Sequence, residues 1–164
     1  MRSILVALPI AILGLADSGC CFFGGCPCGA PSAATYAGTM LYTVMAPAAD
    51  GGTAAAPTSG SASVSVTLDA FDPIYMNDLD NSYCGGKTFV VVLGPSCALT
   101  ATVVDAHGRS GSASIASGQS CSVSTATGGF ETQVTGGTIG ISGALLNVLI
   151  SGDSASVNFE GSVN

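Results

Sequence analysis

Seven cysteines in 164 residues are the densest potential chemistry in the chain, at Cys20, Cys21, Cys26, Cys28, Cys84, Cys97 and Cys121. In a reducing compartment such clusters hold metals or run redox reactions; in an oxidising one they pair as disulfides. The run Cys20-Cys21-Phe22-Phe23-Gly24-Gly25-Cys26-Pro27-Cys28 is close enough for a metal or redox cluster. Zinc sites, however, combine two C-x₂-C units or add histidines, and no histidine lies near this run. The reading preferred is an oxidised, loop-rich knot, provided the chain is exported.

Three other groups of side chains could do chemistry. His107, with Asp105 before it and Ser110 after it, has the composition of a Ser-His-Asp hydrolase. In such enzymes the three groups converge from separate elements onto an oxyanion hole, whereas these crowd one glycine-containing turn. No G-x-S-x-G elbow accompanies them, so the stretch reads as a solvated hairpin loop. Between Asp69 and Asn81 carboxylates and amides cluster, and Asp78, Asp80 and Ser82 have the 1-3-5 spacing of a calcium loop. Tyr83 stands where that loop needs glycine and Phe89 where it needs glutamate, so Asp78 and Asp80 remain weak calcium candidates beside a plain Asx-turn loop. Glu131 and Glu160 are the only glutamates, and nothing in the sequence joins them as a glycosidase pair. Tyr36, Tyr42, Tyr75 and Tyr83 could stack on a sugar, but at strand positions they read as core. The expectation is therefore a non-enzyme without a cofactor.

Charge narrows the partners. The net charge is −7, and Arg2, Lys87 and Arg109 are the only basic residues. Three scattered cations cannot displace the counterions of a nucleic acid, nor form a polybasic membrane patch.

The N-terminus supplies the compartment. After Arg2, the stretch Ile4 to Leu15 is apolar apart from Pro9 and Gly14. It is too short to span a bilayer and suits a signal-peptide core. It ends Leu15-Ala16-Asp17-Ser18-Gly19-Cys20, and Ser18-Gly19-Cys20 resembles the lipobox of bacterial lipoproteins. The resemblance implies that Cys20 is acylated and becomes the mature N-terminus; Asp17 departs from the aliphatic residue usual at that place. Ordinary signal-peptidase cleavage after Ser18 is the alternative, since Ala16 and Ser18 are small. The expected location is the cell envelope, outer membrane or periplasm, lipid-anchored, or else secreted and soluble. Residues 1–19 are read as signal peptide, 20–34 as Cys-rich anchor and tether, and 35–164 as a single β domain.

If Cys20 carries lipid, six cysteines remain in two trios: Cys21, Cys26, Cys28 and Cys84, Cys97, Cys121. Odd trios cannot be fully paired internally, so one bond must cross between them. Cys97 and Cys121 flank the loop at 106–111 and can meet in one hairpin if extra residues are absorbed there. Cys84 is then left to reach the knot.

The elements that would position these groups are strands. Only 8 % of residues are charged, against roughly 25 % in ordinary globular chains. Serine and threonine alternate with Val, Ile and Ala instead, which suits a half-buried sheet. Tyr36 to Val44 alternates, with Tyr36, Met40, Tyr42 and Val44 on one face. Ser61 to Ala70 alternates most cleanly, placing Ala62, Val64, Val66 and Leu68 inward. Thr88 to Leu93 is a β-branched run, expected to be a strand covered on both faces or a central one. Further strands are predicted at Cys97–Asp105, Ser112–Ser117, Ser120–Ala126, Phe130–Thr135, Thr138–Ile150 and Ser154–Val163, with turns at Gly128-Gly129, Gly136-Gly137 and Gly152-Asp153. Ala46 to Gly60 lacks period and reads as a long loop.

The predicted fold is thus all-β, one small antiparallel meander closed as a β-barrel or folded as a β-sandwich, and disulfide-bonded. The predicted role is structural or interactive at the envelope, with contact to the membrane through the lipid and to an unidentified protein. The alternative is a lipocalin-like barrel carrying a small apolar ligand inside.

Overall fold

In the computed structural model, residues 33–45, 56–69, 86–107, 110–126 and 128–163 are described, apart from the side chain of His107. They form nine strands: β1 (Ala34–Val44), β2 (Thr58–Asp69), β3 (Thr88–Gly94), β4 (Cys97–His107), β5 (Ser110–Ile115), β6 (Ser120–Thr125), β7 (Gly128–Ser142), β8 (Leu145–Gly152) and β9 (Ala155–Val163). Every pairing is antiparallel between neighbours in sequence, except that β1 meets β9 and β5 meets β7. Those two pairings close the sheet. The result is an eight-stranded barrel, β1-β2-β3-β4-β5-β7-β8-β9, which decides between barrel and sandwich.

The ninth strand, β6, prolongs β5. Both lie along the same side of the long β7, β5 on Gly137–Ser142 and β6 on Gly128–Gln133.

Period-2 alternation places the core. Tyr36, Met40 and Tyr42 of β1, Val66 and Leu68 of β2, Ala155, Val157 and Phe159 of β9 are all buried, as their spacing predicts. Tyr36, Met40, Leu68, Leu99, Val148 and Phe159 have no exposed surface at all, so they touch no water-sized void. The barrel interior is filled with side chains. On the outer wall serine and threonine alternate with these residues, as at Ser59, Ser61, Ser63 and Ser65.

Glycines set the sharp curvature that a small closed barrel needs. Gly38 faces Gly161 across β1–β9, and a Cβ on Gly38 would collide with the Glu160 carbonyl and the Gly161 backbone. The Phe159 ring covers Gly161 from the inside.

Several local expectations are corrected. Gly136-Gly137 is no turn: β7 runs through it with a register shift between Val134 and Gly136, because β8 continues to pair on both sides. The segment Thr138–Ile150 is broken instead at Gly143-Ala144, where Gly143 takes φ +59° in a two-residue hairpin loop. Thr58, Ser59 and Gly60 belong to β2 rather than to a loop, since Val44, Thr43 and Tyr42 extend the ladder to them. The loop read at 106–111 is shorter, as β4 and β5 pair to His107 and Ser110. In β3, Phe89, Val91 and Leu93 are buried while Val90 and Val92 are half-buried, so the strand has one core face and is a central strand, between β2 and β4, rather than one covered on both faces.

Candidate functional site

Cys97, Cys121, Gln119 and Tyr42 gather on one seam of the barrel, where the β2–β3 ladder is short. β2 and β3 pair only at Thr67–Val92, Leu68–Val91 and Asp69–Val90. Beyond Leu93 the chain turns into β4, and among the described residues no strand pairs with the rest of this edge of β2.

The disulfide Cys97–Cys121 ties this seam at its β4–β6 side. After a register shift between Val103 and Asp105, the β4–β5 ladder is regular from Val103–Ala113 to Ala101–Ile115; at Ser96–Ser122 two further residues have been absorbed on the β5–β6 side. That offset sets Cys97 opposite Cys121, with Cα atoms 4.3 Å apart, close to the spacing of a non-hydrogen-bonded antiparallel pair. Both residues are fully buried. The hairpin pairing expected from the sequence is therefore present, with the extra residues taken up at Ala116–Gln119 rather than in the loop.

Gln119 repairs the ladder at that insertion. Its Oε1 accepts from the Thr100 N–H at 2.6 Å, and its Nε2 donates to the carbonyls of Thr100 and Ala116, both at 3.0 Å. One side-chain amide thus plays the part of a missing strand residue towards β4. On the other side the backbone stays regular, Gly118 N–H donating to Val134 and Val134 N–H to Gln119.

Tyr42 closes the open end from inside. Its hydroxyl lies 3.4 Å from Thr125 Oγ1 on β6, and its ring packs on Phe130 at a centroid distance of 5.5 Å. On β2 the position opposite is Gly60, where a Cβ would strike that hydroxyl. A glycine is required because the phenol occupies the space.

At the same end the β8–β9 turn is latched to β7. Asp153 Oδ1 accepts from the Gln133 N–H, the Thr132 hydroxyl and the Ser154 hydroxyl, each at 3.0 Å. The Gln133 N–H bond, then the Ser154 and Thr132 bonds, hold its carboxyl below the usual 3.8. Thr132, buried, accepts in turn from the N–H groups of Ser154 and Ala155.

An open hollow of about 690 Å³ lies at the opposite end, beside the β7–β8 hairpin, between Thr39, Gly140, Ser142, Leu145, Asn147 and Glu160. Asn147 Nδ2 donates to Glu160 Oε1 at 3.4 Å and to Asn158 Oδ1 at 3.3 Å. Glu131 is remote from it: its carbonyl accepts from Ser154, six residues before Glu160 along β9, or about 20 Å of strand. Glycosidase carboxylates stand about 5–10 Å apart. The two glutamates are not brought together.

Asp105 and Ser110 are exposed on the β4–β5 hairpin, where the backbones of His107 and Ser110 pair. Cys20, Cys21, Cys26, Cys28 and Cys84, and the calcium candidates Asp78 and Asp80, lie outside the described residues. Among the described residues no group of three metal-ligating side chains forms. Gln119, Thr132 and Asp153 escaped the sequence reading. Gly118-Gln119 signalled the kink and Gly152-Asp153 the turn, but nothing in the sequence indicated the partners of these side chains.

The arrangement is one of structural joints rather than of convergent reactive groups. No protein-family model, curated protein or solved structure matches the chain.

Proposed function

We propose that this chain is a lipid-anchored, non-enzymatic protein of the cell envelope, acting through its outer wall in a structural or interaction role. The observation that carries the reading is the filled interior: Tyr36, Met40, Leu99 and Phe159 occupy the space a lipocalin-like ligand would need. What such a barrel offers a partner is its surface of serine and threonine, inverted relative to the apolar outer band of a membrane-spanning barrel. The lipobox-like Ser18-Gly19-Cys20 supports anchorage at Cys20. With Cys97 and Cys121 joined, Cys21, Cys26, Cys28 and Cys84 remain as an even set, and a bond from Cys84 to the knot would hold the barrel near its anchor.

The test is expression of the full chain in a bacterial host with labelled fatty acid. Label should enter the wild type and be absent from Cys20→Ser, which should leave the membrane fraction. A mature N-terminus at Gly19, or a variant still held in membranes, overturns the anchor. A small apolar molecule retained in native mass spectra would overturn the surface reading in favour of an interior ligand.

A further inference from the structure

Among the described residues, one edge of β2 is paired over only part of its length. From Thr58 to Ser65 the strand is bonded to β1 along one edge, and among the described residues nothing pairs with its other edge. Exposed strand edges template further strands, and proteins guard them with lysine, proline, bulges or very short length. This edge has none of these: Thr58–Leu68 contains no charged residue and no proline, and its register with β1 is unbroken. Ala62 and Val64, on the core-facing side, are only half-buried there, so an added strand would cover them. The barrel interior behind the edge is already stoppered by Tyr42, so an added strand must extend the sheet outward rather than insert into the wall.

We propose that the occupant is the same strand of a second copy, paired antiparallel about a twofold axis near Ala62. The sequence is self-complementary in that register. Ser61 meets the partner's Ser63, Ser59 meets the partner's Ser65, and Gly60 meets the partner's Val64, so small polar residues meet on one face and small apolar ones on the other. No like charges oppose each other across the new ladder; the one carboxylate of β2, Asp69, lies beyond its end. The inference does not depend on the anchor at Cys20.

Sedimentation velocity of the full chain in density-matched detergent, over a concentration series, tests it. The wild type should dimerise. Ser61→Lys with Ser63→Lys places like charges directly opposite one another and should raise the dissociation constant roughly tenfold or more. Thr138→Lys, equally exposed but on the paired wall, should leave it unchanged. A wild type that stays monomeric overturns the proposal, as does a lysine variant that dimerises like the wild type. Hydrogen exchange on the unmodified protein gives an independent reading. Alternate amides of Ser59–Ser65 should gain protection as concentration rises, and dimerisation without that gain also overturns it.

Discussion

The two walls of the barrel are held together by different means. From β2 through β1 and β9 to β8 the backbone does the joining: β1 pairs with β2 from Ala34–Leu68 to Val44–Thr58 and with β9 from Tyr36–Val163 to Val44–Ala155, without a break. From β2 through β3 and β4 to β6 the ladders are short or shifted, and side chains take over: the Cys97–Cys121 bond, the Gln119 amide and the Tyr42 phenol. A ladder spreads its stabilisation over many equivalent bonds of about 1 kcal/mol each, so no single side chain is decisive. A side-chain joint concentrates it. Point substitutions should therefore be felt unequally on the two walls.

The largest effect should follow removal of the disulfide. Cys97→Ala with Cys121→Ala opens a covalent loop spanning a separation of 24 residues, worth about 3.5 kcal/mol in the chain-entropy model. Urea unfolding measures it, and hydrogen exchange should quicken in β4 and β6 while β1 and β9 stay protected. Equal quickening on both walls would dissolve the contrast between them.

Gln119→Ala comes next. It removes the partners of the Thr100 N–H and carbonyl in an exposed stretch that water can partly re-satisfy, so a loss of about 1 kcal/mol is expected. Gln119→Glu keeps the acceptor but sets a carboxylate against two carbonyls, and should cost at least as much. A neutral result for both would mean that the backbone carries this wall as well.

The smallest effect is at Asp153, and it is visible through pH. Its carboxyl is held below 3.8 by hydrogen bonds to the charged form, so its contribution is present above the unfolded value and lost as pH falls through the lowered one. The stability gap between wild type and Asp153→Asn should be constant above about pH 5 and shrink below 3.8. A gap independent of pH would show that the turn is held by its backbone alone.

Much of the fold was legible because alternation is a one-dimensional signal. The inward sets of β1, β2 and β9 are printed along the chain as every second residue. Turns were harder. Gly136-Gly137 and Gly143-Ala144 look alike in sequence, and only the pairing of β8 on both sides of the first makes it a bulge and the second a hairpin. The joints were the least legible. The cysteine pair could be argued from hairpin spacing, yet Gln119 meets Thr100 and Tyr42 meets Thr125 only because the barrel has closed. Such partnerships depend on three-dimensional offsets of one or two residues that composition does not record.

Closure by β1 and β9 also governs time. These strands join residues more than a hundred positions apart. Synthesis delivers β1 first and β9 last, at about 5–20 residues per second, so β1 must wait seconds with one edge bare. Pairings of such long range are also slow to form once both partners are present. The barrel is therefore closed only after β9 has been delivered. Until then β1 and β8 are both open to the wrong partner, and a factor that holds the chain extended would act during that interval.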